Sequence, residues 1–480
     1  MRLPLQLALV LLAGLAHALS MAEPSAGHPV WWLQLLALGV LAWQIASLRG
    51  GPTAARRGAV LGWVFATSWL TGTFWWLFIS MHTYGGLPSV LAALAVVSLA
   101  AFLALYYAAA CGLWVRLAPD NAAGQAVLFA ALWLLAELMR AIWFTGFPWG
   151  AAGYAHSQGP LAGYAPWLGA YAMSAVAAWL AMMLIQLRRT TLLQRAAVFA
   201  VIVLPWGYQL SGYAFSEPAG TQSVTLLQGN IPQDEKFQGG TGVPLALRWY
   251  GEQIRDARTS LIVAPETAIP LLPQQLPEGY LEAIQQRFAT GEQALLVGIP
   301  LGNFKDGYSN SVIGLKPGLA KPYIYDKHHL VPFGEFIPPL FRWFTEMMNI
   351  PLGDFNRGTV GQPSFDWKGQ RLAPNICYED LFGEEIGANF SNAANAPTIL
   401  VNISNIGWFG NSIAIDQHLL ISRMRALEFE RPMIRATNTG ATVIIDHHGA
   451  VTHALERGTR GTLVGEVQGR TGITPFAWWV

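Results

Sequence analysis

Apolar and polar positions follow one pattern in the first two fifths of the chain and a different one afterwards. Up to residue 213, apolar stretches recur at 3–19, 30–46, 59–81, 88–115, 126–143, 166–187 and 196–213. Each approaches the roughly 20 residues that a helix needs to cross a ~30 Å hydrocarbon core, so seven membrane spans are predicted. From Ser223 the pattern shortens to aliphatic runs at 224–228, 261–264, 294–299, 311–315, 372–376 and 398–403, interleaved with helical segments at 245–258 and 418–430. Apolar strands alternating with helices predict sheets covered by helices. The expected fold is therefore a polytopic α-helical membrane bundle over 1–215, an α/β domain over 216–472, and a short C-terminal end over 473–480.

The loops give an orientation, because lysine and arginine are retained on the cytoplasmic side. Arg49, Arg56 and Arg57 follow the second stretch, Arg116 the fourth, and Arg188, Arg189 and Arg195 the sixth. The loops around Pro24, around Tyr84 and over 145–165 carry almost no positive charge. Everything after Tyr213 is accordingly expected outside the cytoplasm. The first stretch has a second reading: Arg2, a short apolar core and Ala16-His17-Ala18 resemble a secretory signal with its cleavage site. Cleavage would leave six spans and every later loop where it was.

Composition supports this division. Of 480 residues, 53% are hydrophobic and only 12% charged, about half the usual fraction in soluble proteins. No lysine precedes Lys236, and the acidic residues before Tyr213 are Glu23, Asp120 and Glu137. Glu137 lies three residues before Arg140 on the fifth stretch; intramembrane charge points to function, but pairing on one helix face is the favoured reading. A net charge of +1 argues against a nucleic-acid partner, which calls for a basic face. The two cysteines, Cys111 in an apolar run and Cys377 in the polar domain, suit neither a disulfide nor a structural zinc site.

Three segments carry candidate chemistry. Cys377 ends the apolar run Leu372-Ala373-Pro374-Asn375-Ile376 and precedes Tyr378-Glu379-Asp380, a strand running into a polar turn, where a nucleophile can be presented. The alternative is a small buried hydrophobe. Glu266 follows Ile262-Val263-Ala264-Pro265; a carboxylate amid apolar surface suits a general base, and the alternative is a turn or helix N-terminal carboxylate. Lys327 and Glu335 share Asp326-Lys327-His328-His329-Leu330-Val331-Pro332-Phe333-Gly334-Glu335. An ammonium near a developing oxyanion stabilises it. His328 and His329 read as a solvated or hydrogen-bonded pair, since no third residue is spaced to complete a metal site.

Spacing alone does not unite these segments. Taken in order, however, the Pro-Glu strand end, the Lys upstream of Leu-Val-Pro-Phe-Gly-Glu and the Ile-Cys-Tyr-Glu segment resemble the nitrilase superfamily. That resemblance implies an α-β-β-α sandwich with Glu266, Lys327 and Cys377 as a catalytic triad. Further segments narrow it to the apolipoprotein N-acyltransferase family: Gly146-Phe147-Pro148-Trp149, 160–166, Gln228-Gly229-Asn230-Ile231-Pro232-Gln233, Ile403-Ser404-Asn405, Trp408-Phe409-Gly410, Gln417-His418, 423–428 and Gly472-Ile473-Thr474-Pro475. The sequence departs from the family pattern at Phe237, where a tryptophan is expected, at Ala264, usually bulkier, and at Ile406, usually acidic. The pattern also leads one to expect a final span where this sequence stops at Trp478-Trp479-Val480.

The resemblance implies transfer of an acyl chain from a membrane phospholipid, through a Cys377 thioester, to the α-amine of the diacylglyceryl cysteine that begins an apolipoprotein. It implies Glu335, Tyr378 and Glu379 as supporting residues, Phe237, Ser404, Asn405 and Trp408 as substrate contacts, and no metal or organic cofactor. The implied location is the bacterial inner membrane with the catalytic domain on the periplasmic side. A membrane-tethered amidase with the same triad and water as acceptor is the alternative, and a transporter with an external binding domain lies further behind, since the stretches offer few polar residues at broken helices.

Overall fold

The computed structural model describes residues 3–48, 50–338 and 355–480; Arg2 and Arg49, used above for the signal and orientation readings, lie outside the described residues. The chain forms two compact units, one of Met1–Thr83, Leu87–Tyr213 and Asp416–Leu420, the other of Tyr84–Gly86, Ala214–Ile415 and Ile421–Val480.

In the first unit each of the seven apolar stretches forms a helix: α1 (Leu3–Met21), α2 (Trp31–Ala46), α3 (Ala54–Phe74), α4 (Ser89–Leu117), α5 (Ala122–Ile142), α6 (Ala165–Ile185) and α7 (Leu192–Leu210). Small residues let them approach closely, as expected where apolar lipid offers helices no hydrophobic drive to associate. A Cβ on Gly62 of α3 would lie 2.7 Å from the Cys111 sulfur of α4, so Cys111 is a packing residue. The third stretch is not one straight helix. After Phe74 it bends by 60° into Leu77–Tyr84, whose last part, Ser80–Tyr84, is a π-helical turn, a geometry that commonly kinks helices. Among the described residues, four helical segments are long and apolar enough to cross a membrane: Leu3–Met21, Ser89–Leu117, Ala122–Thr145 and Pro160–Ile185; the bent pair makes a fifth. This is a membrane protein.

Glu137 and Arg140 are both buried in α5, but they hold backbone rather than each other. Arg140 Nη1 donates to the carbonyls of Phe147 at 2.6 Å and Trp149 at 2.8 Å, and its Nε donates to the Tyr107 hydroxyl at 3.0 Å. Glu137 Oε1 accepts the Ala152 N–H at 2.9 Å. The predicted mutual pairing gives way because the non-helical turn after α5 leaves backbone groups that an apolar interior cannot satisfy.

Among its described residues the second unit contains two six-stranded sheets, in the orders β12-β1-β2-β3-β4-β5 and β11-β10-β9-β8-β7-β6. The strands are β1 (Ser216–Gln228), β2 (Leu261–Val263), β3 (Ala294–Asn303), β4 (Gly307–Leu315), β5 (Tyr323–Asp326), β6 (Phe365–Trp367), β7 (Gln370–Ile376), β8 (Ile399–Ser404), β9 (Met433–Thr437), β10 (Val443–Ile445), β11 (Val451–Ala454) and β12 (Gly461–Gly472). Strand alternation sorts the aliphatic side chains to two faces. Val224, Leu226, Leu261 and Val263 of the first sheet pack against Leu372, Ile376, Ile399, Val401 and Ile434 of the second. Leu227, Ile262, Leu295 and Val297 point the other way, onto α8 (Gly242–Asp256) and α9 (Tyr280–Ala289). On the outer face of the second sheet, Arg435 of β9 meets Ser422 of α10 (Ala414–Phe429). The result is the expected α-β-β-α sandwich. β1, β2 and β3 run parallel, as do β7, β8 and β9, and the segments that leave β2, β5 and β7 carry the candidate chemistry.

Candidate active site

Glu266 lies three residues beyond β2 and is mostly buried, 8% exposed. The backbone of 265–267 rests on β3 at Gly298, where a Cβ would come within 2.4 Å of the Pro265 oxygen and 2.7 Å of Glu266 Cα; only glycine permits that approach. Glu266 Oε1 accepts from Asn310 Nδ2 at 2.7 Å and Oε2 from the Asn405 N–H at 2.8 Å. Both donors are neutral, and the Lys327 ammonium stands 3.6 Å from Oε1.

Lys327 follows β5 and is fully enclosed, 1% exposed. Its ammonium bonds Glu335 Oε1 at 2.9 Å and Oε2 at 2.8 Å. Burial alone would pull this ammonium down, but Glu335 and then Glu266 outweigh it and hold the lysine above its usual range. Glu335 is itself fixed by the Val331 N–H at 2.8 Å and by Asn310 Nδ2 at 2.8 Å, so one Asn310 amide bridges both carboxylates.

Cys377 begins the turn after β7 with φ 51°, the left-handed region that non-glycine residues seldom adopt and that clusters at functional sites. The residue is partly accessible. Desolvation pushes its thiol up, with Glu266, Glu335 and Asp380 adding to the effect and Lys327 opposing it. The Ile376 N–H just before the thiol and the His328 and His329 N–H groups just after Lys327 share one Glu379 carboxylate, which brings the Cys377 turn against the Lys327 segment. The turn is held from below by Asp380, which pairs with Arg435 at 3.1 Å and accepts from Ser422. Glu266, Lys327 and Cys377, predicted from three distant segments, thus converge at one end of the sandwich.

Glu379 has a different role from a residue that meets substrate. Its Oε1 accepts the N–H groups of His328 at 2.6 Å and His329 at 3.1 Å, and its Oε2 accepts the Tyr325 hydroxyl at 2.9 Å and the Ile376 N–H at 2.6 Å. It ties the Lys327 segment to the Cys377 strand. Burial raises its carboxyl, against the pull of the Ile376 N–H and Lys327. The Tyr378 ring is buried beside His329 and Phe382, and His329 Nδ1 meets Glu385 Oε1 at 2.8 Å, consistent with a hydrogen-bonded histidine.

The expected substrate contacts divide in two. Phe237 and Trp408 are exposed, at 53% and 43%. Ser404 and Asn405 are buried, and Asn405 is bonded into the framework of the site: it gives its N–H to Glu266, its Nδ2 to Gln233 Oε1 at 2.7 Å, and its Oδ1 accepts from Asn438 Nδ2 at 3.1 Å. The sequence reading missed Asn310, Asn438 and Lys236. Lys236 Nζ donates to the Glu266 carbonyl at 3.0 Å from a site 1% exposed. Its signal was visible, since it is the first lysine in the chain and lies just after the flagged 228–233 segment.

The two-sheet sandwich is that of a nitrilase-type domain, and the carbon-nitrogen hydrolase family matches residues 223–475. The apolipoprotein N-acyltransferase N-terminal domain matches residues 13–183. The chain is 60% identical to an apolipoprotein N-acyltransferase of Verminephrobacter eiseniae, covering 99% of this chain and 92% of that protein. It is 47% identical to one of Ralstonia nicotianae, over 98% and 88%. A carbon-nitrogen hydrolase structure from Helicobacter pylori is similar at 15% identity and a TM-score of 0.38, covering 52% of this chain and 89% of that one. The chain belongs to the apolipoprotein N-acyltransferase family.

Proposed function

We propose that this protein moves an acyl chain from a membrane phospholipid to the free α-amine of an apolipoprotein's diacylglyceryl cysteine, with Cys377 as nucleophile, Glu266 as general base and Lys327 as oxyanion donor. The observation that carries the reading is the convergence of these three side chains in a chain whose relatives, matched over nearly their whole length, bear that name. Glu266 takes the thiol proton as sulfur attacks the ester carbonyl, and the Lys327 ammonium, with the Tyr378 N–H, offsets the negative charge on the tetrahedral oxygen. Collapse breaks the ester C–O bond; the proton on Glu266 passes to the departing lysophospholipid oxygen, leaving a Cys377 thioester. The lipoprotein amine then attacks the thioester carbonyl, Glu266 accepts its proton, and the thiol is restored as the amide leaves. Glu335 holds Lys327 throughout. The exposed rings of Phe237 and Trp408 are assigned to the acyl chains.

The match to the acyltransferase N-terminal domain favours this reading over an amidase with water as acceptor. Lipid-anchored substrates suit a chain whose helices present apolar side chains outward; on α7, Leu192, Phe199, Leu204 and Leu210 are all exposed. All seven helices are assigned to the bilayer of the bacterial inner membrane, with the sandwich on the periplasmic side as the basic loops direct.

Intact-mass spectrometry of the purified protein with phospholipid tests this. An acyl mass on the wild type, absent from Cys377→Ala and discharged onto a diacylglyceryl-cysteine peptide, is expected. A wild type that never acquires the mass overturns the proposal.

A further inference from the structure

Lys236 is a buried site cation to which the proposed triad assigns no part. Its side chain crosses from the loop after β1 to the Glu266 backbone, where Nζ donates to the carbonyl at 3.0 Å, and it is 1% exposed. An ammonium taken out of water for a single carbonyl bond carries a large desolvation cost, and a neutral side chain could hold that carbonyl at less. Its surroundings supply what a charge requires. Glu266 and Cys377 both act on it, and its Nζ lies 5.8 Å from the centre of the Phe237 ring, within reach of a cation–π contribution.

Counting the charges around the thiol shows what Lys236 contributes. Asp380 and Arg435 form a pair and cancel. Glu266 and Glu335 face Lys327, and Glu379 adds a third carboxyl behind it. Without Lys236 three carboxyls stand against the single cation Lys327, and with it they stand against two; each uncompensated carboxylate opposes the formation of a thiolate beside it, and Lys236 offsets one of them. Resting on the triad proposed above, we infer that Lys236 is a positioning residue whose positive charge lets Cys377 become a thiolate, while its hydrogen bond fixes Glu266. Burial, working against Glu266 and Cys377, brings its ammonium down to about 8, so the effect belongs to neutral pH and fades above it.

Alkylation of Cys377 by iodoacetamide, followed by peptide mass spectrometry from pH 6 to 10 on the full-length protein in detergent, reads the thiolate without any acyl substrate. It therefore succeeds or fails independently of the acyltransferase reading. Lys236→Met removes both charge and hydrogen bond; Lys236→Gln keeps an N–H donor and loses only the charge. Both are expected to alkylate about tenfold more slowly than wild type below pH 8, the effect of roughly one pKa unit on the thiol, and to converge with it above that pH. Lys236→Arg is expected to follow the wild type. A Gln variant that alkylates like wild type, or an Arg variant as slow as Gln, overturns the inference and leaves Lys236 as a tether only. Matched thermal unfolding of each variant establishes that a slow rate does not come from a misfolded protein.

Discussion

Glu335→Gln separates the two effects of the second carboxylate on the site. In the folded protein Lys327 is held by Glu335 at 2.8 and 2.9 Å, and its next carboxylate oxygen, on Glu266, is 3.6 Å away. At these distances, with an effective dielectric near 20, the Lys327–Glu335 attraction is about 6 kcal/mol, and removing one partner of a buried pair costs about 3–5 kcal/mol net. The amide keeps the shape and some hydrogen bonds but not the charge, so the ammonium turns toward Glu266. That turn takes the donor from the oxyanion and occupies the base. Loss of one oxyanion donor corresponds to about 10²–10³ in rate, so thioester formation, followed by intact mass after mixing with phospholipid, is expected to slow by that factor. Glu335 also raises the Cys377 thiol, so the same variant is expected to alkylate with iodoacetamide faster than wild type at pH 8. Slower acylation together with faster alkylation is a pairing that general unfolding does not produce. An acylation rate within about threefold of wild type would refute the assignment of Lys327, because the oxyanion effect invoked is at least tenfold larger.

Three further outcomes are expected. Gly298→Ala places a Cβ 2.4 Å from the Pro265 oxygen and 2.7 Å from Glu266 Cα, backbone that yields poorly, so thioester formation is expected to fall at least about tenfold with a stability loss of about 1–3 kcal/mol; an unchanged rate would remove Gly298 from the argument. Because the Lys236 cation is present below about 8 and lost above it, the wild-type acylation rate is expected to fall as pH rises through 8 and Lys236→Met to lack that limb, as measured by initial rates from pH 6 to 9. Arg140→Leu strips the carbonyls of Phe147 and Trp149 of their buried donor, each unpaired group costing about 1–3 kcal/mol; limited proteolysis in detergent is expected to cut between residues 144 and 152 in the variant first, and equal resistance would show that the turn holds without it.

The helices were legible as long apolar runs and the strands as short aliphatic runs packed on both faces, and the Cys377, Glu266 and Lys327 segments stood out as polar residues at the ends of apolar runs. The framework around them was not. Asn310 lies within β4, where nothing in the sequence distinguishes it from a solvent-facing position; only the approach of β5 and of the 331–335 turn makes its amide the bridge between two carboxylates. Ser404 and Asn405 entered as substrate contacts through the family resemblance alone, and their burial was not legible in the sequence: β8 is interior to its sheet, and the chain beyond it is roofed by Gln233 and Asn438. Glu137 and Arg140 were legible as a pair three residues apart, while the backbone they hold comes from a turn whose position only tertiary structure sets.

The roles proposed for the two carboxylates rest on the groups that hold them. Glu335 is in direct contact with an ammonium through both oxygens and also accepts the Val331 N–H; a proton arriving there would break the ion pair and release Lys327. Among the described residues Glu266 has only neutral donors within bonding distance, Asn310 Nδ2 and the Asn405 N–H, with the ammonium farther off. It can take up a proton without dismantling the cation's support, and it lies among the charges that act on the thiol. Asn310, bonded to both, keeps the two at fixed separation as the proton moves. A site with one base and one counter-ion needs this asymmetry, since two equivalent carboxylates would share Lys327 and neither would be free to act.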